Sequence, residues 1–392
     1  MSEMPDTPDF DFWPVHQTIS KVAHAADHVT LHWSDGKTCQ MDAVLLRENC
    51  PAPETTHRLS REMVIAPTDI PAELRIKACK IDAVGALCVH WMPEDVHSRY
   101  HPGWLRAHSY FDETTHRTST CVLWNAASQP VPPTFDGPTA LGSSKIFLSW
   151  LEALRDYGVS RLENLPLQDG MLEDVAQRVG SIRETNFGRI YTLAIKDVPD
   201  SNAFTSLALP QHIDLPTRET PPGLQFLFCR ANTTSGGEGS YCDAYKIAED
   251  IRTNDPDIFE SLITDVWHYN NRAKTTDYRA SGPLVELDSD GAISSVRFNT
   301  WLRSPMRAPL DIQSRAYRAY RHFTAMAQSP TYQMKVDYRA GDLFAFDNRR
   351  ALHGRRAYDA GGGERYIEGV YSDRDELYSR IRILGRRMRA QH

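Results

Sequence analysis

The distribution of hydrophobic and polar residues predicts two regions of short β-strands. From His28 to about Ala107, short apolar runs typical of strands occur in VTLHW, ALCVHW and SRYHPGWLRAH, with turn residues such as SDGK between them. After Gly188 the strand-like pattern returns in GLQFLFCRA, AISSVRFNT and DLFAFDN. Both regions are therefore expected to be β-rich.

Helical spacing of apolar residues appears between and within these regions. The segment KIFLSWLEALRDYG places apolar side chains three and four residues apart, and MLEDVAQRVG, YKIAEDIRTNDPDIFESLI and SRAYRAYRHFTAMAQ follow the same rule. The predicted fold class is mainly β with flanking helices, in which helices cover a β-rich catalytic core.

The stretch ASQPVPPTFDGPT separates the two β-rich regions and has no regular period. It is rich in proline, serine and threonine, which is typical of a connecting segment. We therefore predict a small β-rich N-terminal domain over residues 1–112, a linker over 113–139 and a catalytic domain over 140–392.

Composition narrows the choice of partners. The 392-residue chain has a net charge of -7 and a pI near 6.1, so it lacks the positive charge that binds nucleic acid or an anionic membrane. It has no long uninterrupted apolar run, and its first residues lack the order of a signal peptide, so a cytoplasmic protein with small-molecule partners is expected. The seven cysteines are scattered without a CxxC pair, which predicts reduced thiols.

Three residues form a candidate metal site. His212 and Asp214 are separated by one residue, so on a strand both side chains point to the same side. His353 follows the predicted strand DLFAFDN. Two imidazoles and one carboxylate hold iron(II) on one face and leave coordination positions open for oxygen and an organic ligand. Because a His-x-Asp triplet also arises by chance, ordinary polar residues remain the alternative.

Arg365 is a candidate partner for an organic acid bound at that metal. Its position in ERYIEGVY predicts a strand, from which a guanidinium can hold a carboxylate with two parallel hydrogen bonds. The sequence has no HExxH, GxSxG or Walker motif, which argues against a zinc protease, a serine hydrolase and an NTPase.

Three segments resemble a known family. HIDLPTRETPPGLQFLFC, FDNRRALHGRRAYDAGGGERYIEGVYSDRDELYSRIRIL and LLRENCP…SRYHPGWLRAH are similar to the γ-butyrobetaine and trimethyllysine hydroxylases, which are iron(II)- and 2-oxoglutarate-dependent dioxygenases. The resemblance implies a double-stranded β-helix (jelly-roll) catalytic domain, a β-rich N-terminal domain and usually a homodimer.

The resemblance also implies a role for particular residues. It assigns Fe(II) to His212, Asp214 and His353, and 2-oxoglutarate to Arg365 with Leu227 lining that site. The expected reaction consumes oxygen, converts 2-oxoglutarate to succinate and hydroxylates the substrate, with ascorbate as a supporting reductant.

In the family, a trimethylammonium group lies in an aromatic cage. Matching motifs place the cage positions of this chain at Phe187, Tyr191, Phe204 and Tyr371. Aromatic faces attract a quaternary cation that has no N–H to donate. The alternative is that these residues are ordinary core aromatics.

A structural zinc ion of the family is doubtful here. The matching stretch NCPAPETTH keeps Cys50 but has Ala52 and Thr55 where further thiols are expected. Zinc needs four suitable ligands, so one cysteine is insufficient. A site assembled from other donors stays open as an alternative, with the candidate ligands Cys39, Cys50, His57 and His97.

The predicted anion site differs from the family as well. The family tends to carry an Asn-Asn pair where this chain has Asn299-Thr300-Trp301, flanked by Arg297 and Arg303, and an earlier stretch has Ser201-Asn202. We take Ser201, Asn202 and Asn299 as candidate substrate ligands. The change favours the phosphonate 2-(trimethylamino)ethylphosphonate narrowly over γ-butyrobetaine. A non-catalytic jelly-roll protein that binds quaternary ammonium, and a zinc-dependent hydrolase, are the remaining alternatives.

Overall fold

The computed structural model describes residues 3–111, 121–193, 205–273, 275–359 and 363–389. The chain divides into two compact units, Met1–Thr118 and Ser119–His392. Among the residues described, no helix combines the length and the hydropathy that crossing a membrane requires.

The first unit contains two three-stranded antiparallel sheets, in the orders β1-β2-β3 and β4-β5-β6. Along β2 and β5 the buried positions alternate with more exposed ones, which is the period expected of strands with one face on a core. The elements are β1 (Ile19–His24), β2 (His28–Trp33), β3 (Thr38–Asp42), α1 (Ala43–Glu48), a 3-10 helix (Pro67–Asp69), β4 (Arg75–Ile81), β5 (Leu87–Met92), β6 (His97–Tyr100) and α2 (Pro102–Ala107).

A buried arginine holds the segment in which the family resemblance placed zinc ligands. Arg47, at the end of α1, donates two hydrogen bonds to the carboxylate of Glu94, at 2.9 and 2.8 Å, and a third to Thr55 Oγ1 at 2.7 Å. Thr55 stands where a metal thiol was expected, and it is buried. A guanidinium therefore joins this segment to α1.

The alternative zinc donors do not converge. Cys39 Sγ contacts the hydroxyl of Ser109, and the His97 ring stacks on His90. Within the described part of the chain, the one group of three or more potential metal ligands lies in the second unit. The donors of the first unit, Cys50 and His57 included, do not fit a tetrahedral zinc site.

The strands of the second unit form two main sheets and two hairpins. The described strands give a larger sheet in the order β10-β21-β12-β19-β8-β7, with β9 beside β21, and a smaller sheet in the order β11-β20-β13-β18. The strands are β7 (Thr134–Asp136), β8 (Val159–Glu163), β9 (Ile182–Arg183), β10 (Tyr191–Leu193), β11 (Leu209–His212), β12 (Leu224–Asn232), β13 (Gly239–Asp243), β14 (Trp267–Arg272), β15 (Asp277–Gly282), β16 (Val285–Leu287), β17 (Ile293–Val296), β18 (Met334–Val336), β19 (Leu343–Asp347), β20 (Ala351–Arg355) and β21 (Arg365–Ser372).

Helices flank the strands, as the apolar periodicity predicted. KIFLSWLEALRDYG lies in α4 and MLEDVAQRV forms α5, whereas the predicted helical stretch after Asp243 is divided into α6 and α7 at Pro256. The helices are α3 (Gly137–Gly142), α4 (Ser144–Tyr157), α5 (Met171–Val179), α6 (Ala244–Asn254), α7 (Pro256–Thr264), α8 (Leu310–Gln328) and α9 (Arg374–Arg389).

The core is layered because successive residues of a strand face opposite sides of its sheet. On β12, Phe226 and Phe228 pack in the cluster that includes α4, α5 and α9, whereas Leu227 lies in a second cluster with Tyr241 of the smaller sheet and Phe344 of the larger one. Residues of both sheets thus share one buried layer, as in a jelly-roll. The predicted mainly β fold with flanking helices is confirmed.

Part of the predicted linker belongs to the second unit. Trp124 is buried and its indole Nε1 donates to the carbonyl of Tyr157 at 2.7 Å. The short strand β7 pairs with β8 in parallel. A single tryptophan and a three-residue strand leave no period in the sequence, so these contacts had no local signal. Positions 113–120 lie outside the described residues.

We expect Arg47→Ala to destabilise the first unit around residues 43–57. The change leaves the carboxylate of Glu94, which is largely buried, without its cation, and breaking such a pair costs about 3 kcal/mol. Hydrogen exchange of the full chain measures the loss as lower protection of these amides. Asp6→Asn is the control, since its ion pair with Arg61 is exposed and contributes about 0–1 kcal/mol. If a zinc chelator alone reduced the protection of this segment in the unchanged protein, the conclusion that the donors of the first unit do not fit zinc would be wrong.

Candidate active site

The sheet register brings the three predicted metal ligands together. His212 ends β11 and lies opposite His353 of the antiparallel strand β20. The carboxylate oxygen Oδ1 of Asp214 is 3.3 Å from His212 Nε2 and 3.7 Å from His353 Nε2. One ligand atom from each residue lies within 4.8 Å of the others. The geometry is that of a facial site with one open side.

The side-chain amide of Asn348 holds the backbone at Asp214 in place. Asn348 is fully buried, and its Oδ1 accepts a hydrogen bond from the Asp214 amide at 2.8 Å. Its Nδ2 donates to the carbonyls of Asp214 at 3.0 Å and Pro222 at 3.1 Å. The side chain of Asn348 thus satisfies both the amide N–H and the carbonyl of Asp214, which lies beyond the end of β11.

The protonation states suit a metal ion. His212 Nδ1 lies 2.9 Å from the carbonyl of Pro210, which assigns the proton to Nδ1 and leaves the lone pair of Nε2 available. Burial, together with the neighbouring His212, lowers the pKa of His353 to about 3, so this imidazole is neutral. Burial raises the pKa of Asp214, but the contacts of its carboxylate with His212 and His353 hold it below its usual range. Two neutral imidazoles and a carboxylate are the ligand forms that iron(II) binds.

One cavity beside the triad is suited to an organic acid. It is lined by all three triad residues, with Arg365 and Leu227. Within the part of the chain that is described, Arg365 Nε and Nη1 are buried without a hydrogen-bond partner. Buried N–H groups are normally paired, so a carboxylate is the natural complement of this guanidinium. Both predicted 2-oxoglutarate residues therefore line the same cavity.

A second guanidinium makes this cavity strongly cationic. Arg355 also lines it, and burial, followed by the charge of Arg365, lowers the pKa of Arg355 to about 10. The guanidinium carbons of Arg355 and Arg365 each lie 5.1 Å from the ring centre of Tyr358. Among the described lining residues, Asp214 provides the sole carboxylate. The cavity thus fits the doubly charged 2-oxoglutarate.

A second cavity on the triad is aromatic. It shares His212 and Asp214 with the first one, and its walls include Phe187, Tyr191 and Tyr371. The ring centres of Phe187 and Tyr191 are 6.2 Å apart, and those of Tyr191 and Tyr371 are 5.0 Å apart. Three of the four predicted cage residues thus line one cavity. The fourth, Phe204, and the candidate ligands Ser201 and Asn202 lie outside the described residues.

Two further residues of this aromatic cavity were not singled out from the sequence. The Trp301 ring centre is 4.5 Å from that of His212, and Asn271 of the β14–β15 hairpin also lines the wall. Trp301 lies in the stretch with Asn299, so its proximity to the predicted anion site was a usable signal. Asn271 had no signal, because its hairpin has no sequence motif.

The predicted anion residues have a different environment from the one expected. Asn299 lines the aromatic cavity, but its Nδ2 donates to the carbonyl of Ile213 and its Oδ1 accepts from the amides of Trp301 and Leu302. It therefore shapes the turn that presents Trp301. Its role as a substrate ligand stays a prediction.

The two flanking arginines do not line the aromatic cavity. The guanidinium of Arg297 donates to the carbonyls of Pro216, Arg218 and Glu219, and that of Arg303 lies 3.9 Å from the ring centre of Tyr320. Neither guanidinium is therefore part of the lining of this cavity. Their spacing in sequence could not show which side of the chain each would face.

Comparison with known proteins agrees with this site. The family "Taurine catabolism dioxygenase TauD, TfdA family" matches residues 123–371, and "Gamma-butyrobetaine hydroxylase-like, N-terminal" matches residues 20–106. The chain is 36% identical over 381 residues to the gamma-butyrobetaine dioxygenase of Pseudomonas sp. (strain AK-1), covering 96% of this chain and 99% of that protein.

More distant relatives include the mitochondrial trimethyllysine dioxygenase of Gallus gallus, 26% identical over 367 residues, 92% of this chain and 86% of that protein. Among solved structures, asparagine oxygenase with Fe(II), 3-hydroxyasparagine and succinate matches at a TM-score of 0.47 and 15% identity, over 60% of this chain and 82% of that chain. The resemblance found in the sequence is confirmed by the family matches. The chain belongs to the TauD, TfdA family and is an Fe(II)- and 2-oxoglutarate-dependent dioxygenase.

Proposed function

We propose that this dioxygenase hydroxylates a small trimethylammonium compound. The observation that carries the proposal is the meeting of two unlike cavities at one triad, since a cationic cavity and an aromatic cavity share His212 and Asp214. The first fits the dianionic co-substrate, and the second fits a cation without N–H groups. The names of the relatives, gamma-butyrobetaine dioxygenase and trimethyllysine dioxygenase, support the same substrate class.

The residues of the chain have separate tasks in this reaction. Arg365 holds a carboxylate of 2-oxoglutarate, while Leu227 contributes an apolar wall that keeps the group in place. His212, Asp214 and His353 would hold iron(II), which would supply the oxygen activation that is coupled to the decarboxylation of 2-oxoglutarate. The two cavities share His212 and Asp214, so a substrate bound in the aromatic cavity would have its C–H bonds beside the triad.

The aromatic cavity binds the cation through the faces of three rings. A quaternary ammonium group gains roughly 0.5–2 kcal/mol from each aromatic face, depending on how far it is desolvated. Phe187, Tyr191 and Tyr371 supply such faces. Among the described wall residues, Asp214 is the sole carboxylate and is committed to the metal. The rings therefore provide most of the attraction for the cation.

Within this class, we propose 2-(trimethylamino)ethylphosphonate as the substrate. Its support is the altered anion stretch and the position of Trp301, which occupies space at the cavity wall and favours a short spacer. The phosphonate has two methylene groups between its charged ends, whereas γ-butyrobetaine has three. The amides of Asn271 and Asn299 line the same cavity and offer polar contacts. The relative that is 36% identical keeps γ-butyrobetaine as the second candidate.

A substrate panel tests the proposal. With iron, ascorbate and 2-oxoglutarate, we expect succinate formation coupled to a hydroxylated product, with a higher kcat/KM for the phosphonate than for γ-butyrobetaine. The isostere 3,3-dimethylbutylphosphonate, in which an uncharged carbon replaces the ammonium nitrogen, should lose at least about tenfold in kcat/KM because three cation–π contacts disappear. Mass spectrometry of the products and succinate quantification give the values.

Histidine variants provide matched controls for that panel. His353→Ala should abolish turnover with an unchanged circular dichroism spectrum, whereas His322→Ala, at a partly exposed histidine of α8, should keep it. Turnover of γ-butyrobetaine in preference to the phosphonate would select the second candidate. Absence of coupled turnover with both compounds would refute the proposed substrate class, and binding without turnover would favour the non-catalytic alternative.

The proposed role of Arg365 has its own test. Arg365→Met removes two buried, charge-assisted hydrogen bonds to the co-substrate, and we expect the KM for 2-oxoglutarate to rise by roughly 100-fold. Arg356→Met is the matched control, because that side chain is exposed and contacts Glu238. Succinate formation at varied 2-oxoglutarate gives both constants. Equal KM values for the two variants would exclude Arg365 as the carboxylate ligand.

A further inference from the structure

Tyr371 of the aromatic cavity also contacts a predicted iron ligand. Its hydroxyl donates to Asp214 Oδ2 at 2.7 Å, while Asp214 Oδ1 faces the two imidazoles. The phenol ring stacks on Tyr191 at 5.0 Å and lines the cavity. One side chain therefore lines the cavity and also donates a hydrogen bond to the metal site.

Gln225 connects the second cage tyrosine to the same oxygen. Its Nε2 donates to Asp214 Oδ2 at 2.8 Å and to the hydroxyl of Tyr191 at 2.6 Å. The side chain is buried, so both of its N–H groups are used within the protein. Both cage tyrosines are thus linked to Asp214, one directly and one through Gln225.

The strand register builds this arrangement. Gln225 of β12 lies opposite Tyr371 of β21, and Tyr191 of β10 lies opposite Gly369 of β21. A Cβ atom at Gly369 would lie 2.3 Å from Tyr191 Cζ, so a residue without a side chain is required for the ring to occupy this place. The position of Tyr191 therefore depends on a glycine that is not among the lining residues of the aromatic cavity.

We propose that Tyr371 and Gln225 are positioning residues for Asp214 and that the aromatic cage and this iron ligand form one hydrogen-bonded unit. The cage part of the inference rests on the proposed function. With Oδ2 held by two donors, the carboxylate cannot rotate freely, and Oδ1 stays directed at the metal position. Outer hydrogen bonds of this kind orient metal ligands, and losing one typically costs about 10–100-fold in metal affinity or activity.

The test separates the hydroxyl of Tyr371 from its ring. Tyr371→Phe keeps the aromatic face and removes only the hydrogen bond, so Mn(II) should bind about tenfold more weakly, measured by calorimetry on the full chain without oxygen. Affinity for tetramethylammonium in the metal-free protein should change by less than about threefold, because the face is retained. Tyr269→Phe is the matched control, since its buried hydroxyl donates to the carbonyl of Arg297 instead.

Gly369→Ala should give the opposite pattern. It displaces the Tyr191 ring and removes no donor from Asp214, so tetramethylammonium affinity should fall more than Mn(II) affinity does. If Tyr371→Phe does not fold, Gln225→Met, which removes the other donor, is measured in its place. Mn(II) affinity within about threefold of that of Tyr269→Phe would overturn the proposal. The Mn(II) measurement needs no substrate, so it stands even if the proposed trimethylammonium substrate fails.

Discussion

The antiparallel pairing of β11 with β20 is the constraint on which the site depends. It places His212 opposite His353, although the two residues are far apart in the chain. Closing so long a loop costs entropy, which must be offset by burial elsewhere. A buried ion pair fixes the start of β20, because Arg350 binds the carboxylate of Asp243 with two hydrogen bonds and also donates to backbone carbonyls. A shifted register of β13 and β20 would separate this pair and leave a buried charge unpaired, which is costly in free energy.

The sequence allowed prediction of what depends on residue type and local spacing. His212, Asp214, His353 and Arg365 carry chemistry that few other residues provide, and the apolar periodicity of α4 is local. The direction of long polar side chains could not be predicted. Arg297 binds three carbonyls of a loop that is distant in sequence, and such partners are set only when the chain folds. Asn271 reaches the cavity through the same kind of long-range placement.

In the first unit, hydrogen bonds of an arginine join the segment in which the family resemblance placed zinc ligands to α1. A metal ion holds a segment by binding several thiols or imidazoles, and its stability depends on their deprotonation. The bidentate contact of Arg47 with Glu94, together with its bond to Thr55, connects the same segment to α1 through a guanidinium, a carboxylate and a hydroxyl. A guanidinium with five donors suits this task, since it satisfies a carboxylate and a hydroxyl at once. Thr55, which stands where a thiol was expected, thus accepts a hydrogen bond from Arg47.

The hydrogen bonds of the cage also bear on selectivity in the proposed function. A primary ammonium ion needs three acceptors when it leaves water, and an unsatisfied buried donor costs about 1–3 kcal/mol. The hydroxyl of Tyr371 is directed at Asp214 and that of Tyr191 is bonded to Gln225, so both are engaged within the protein. A trimethylammonium group needs no acceptor and gains from the ring faces. The network that orients the iron ligand therefore also holds the two rings whose faces the proposed cation needs.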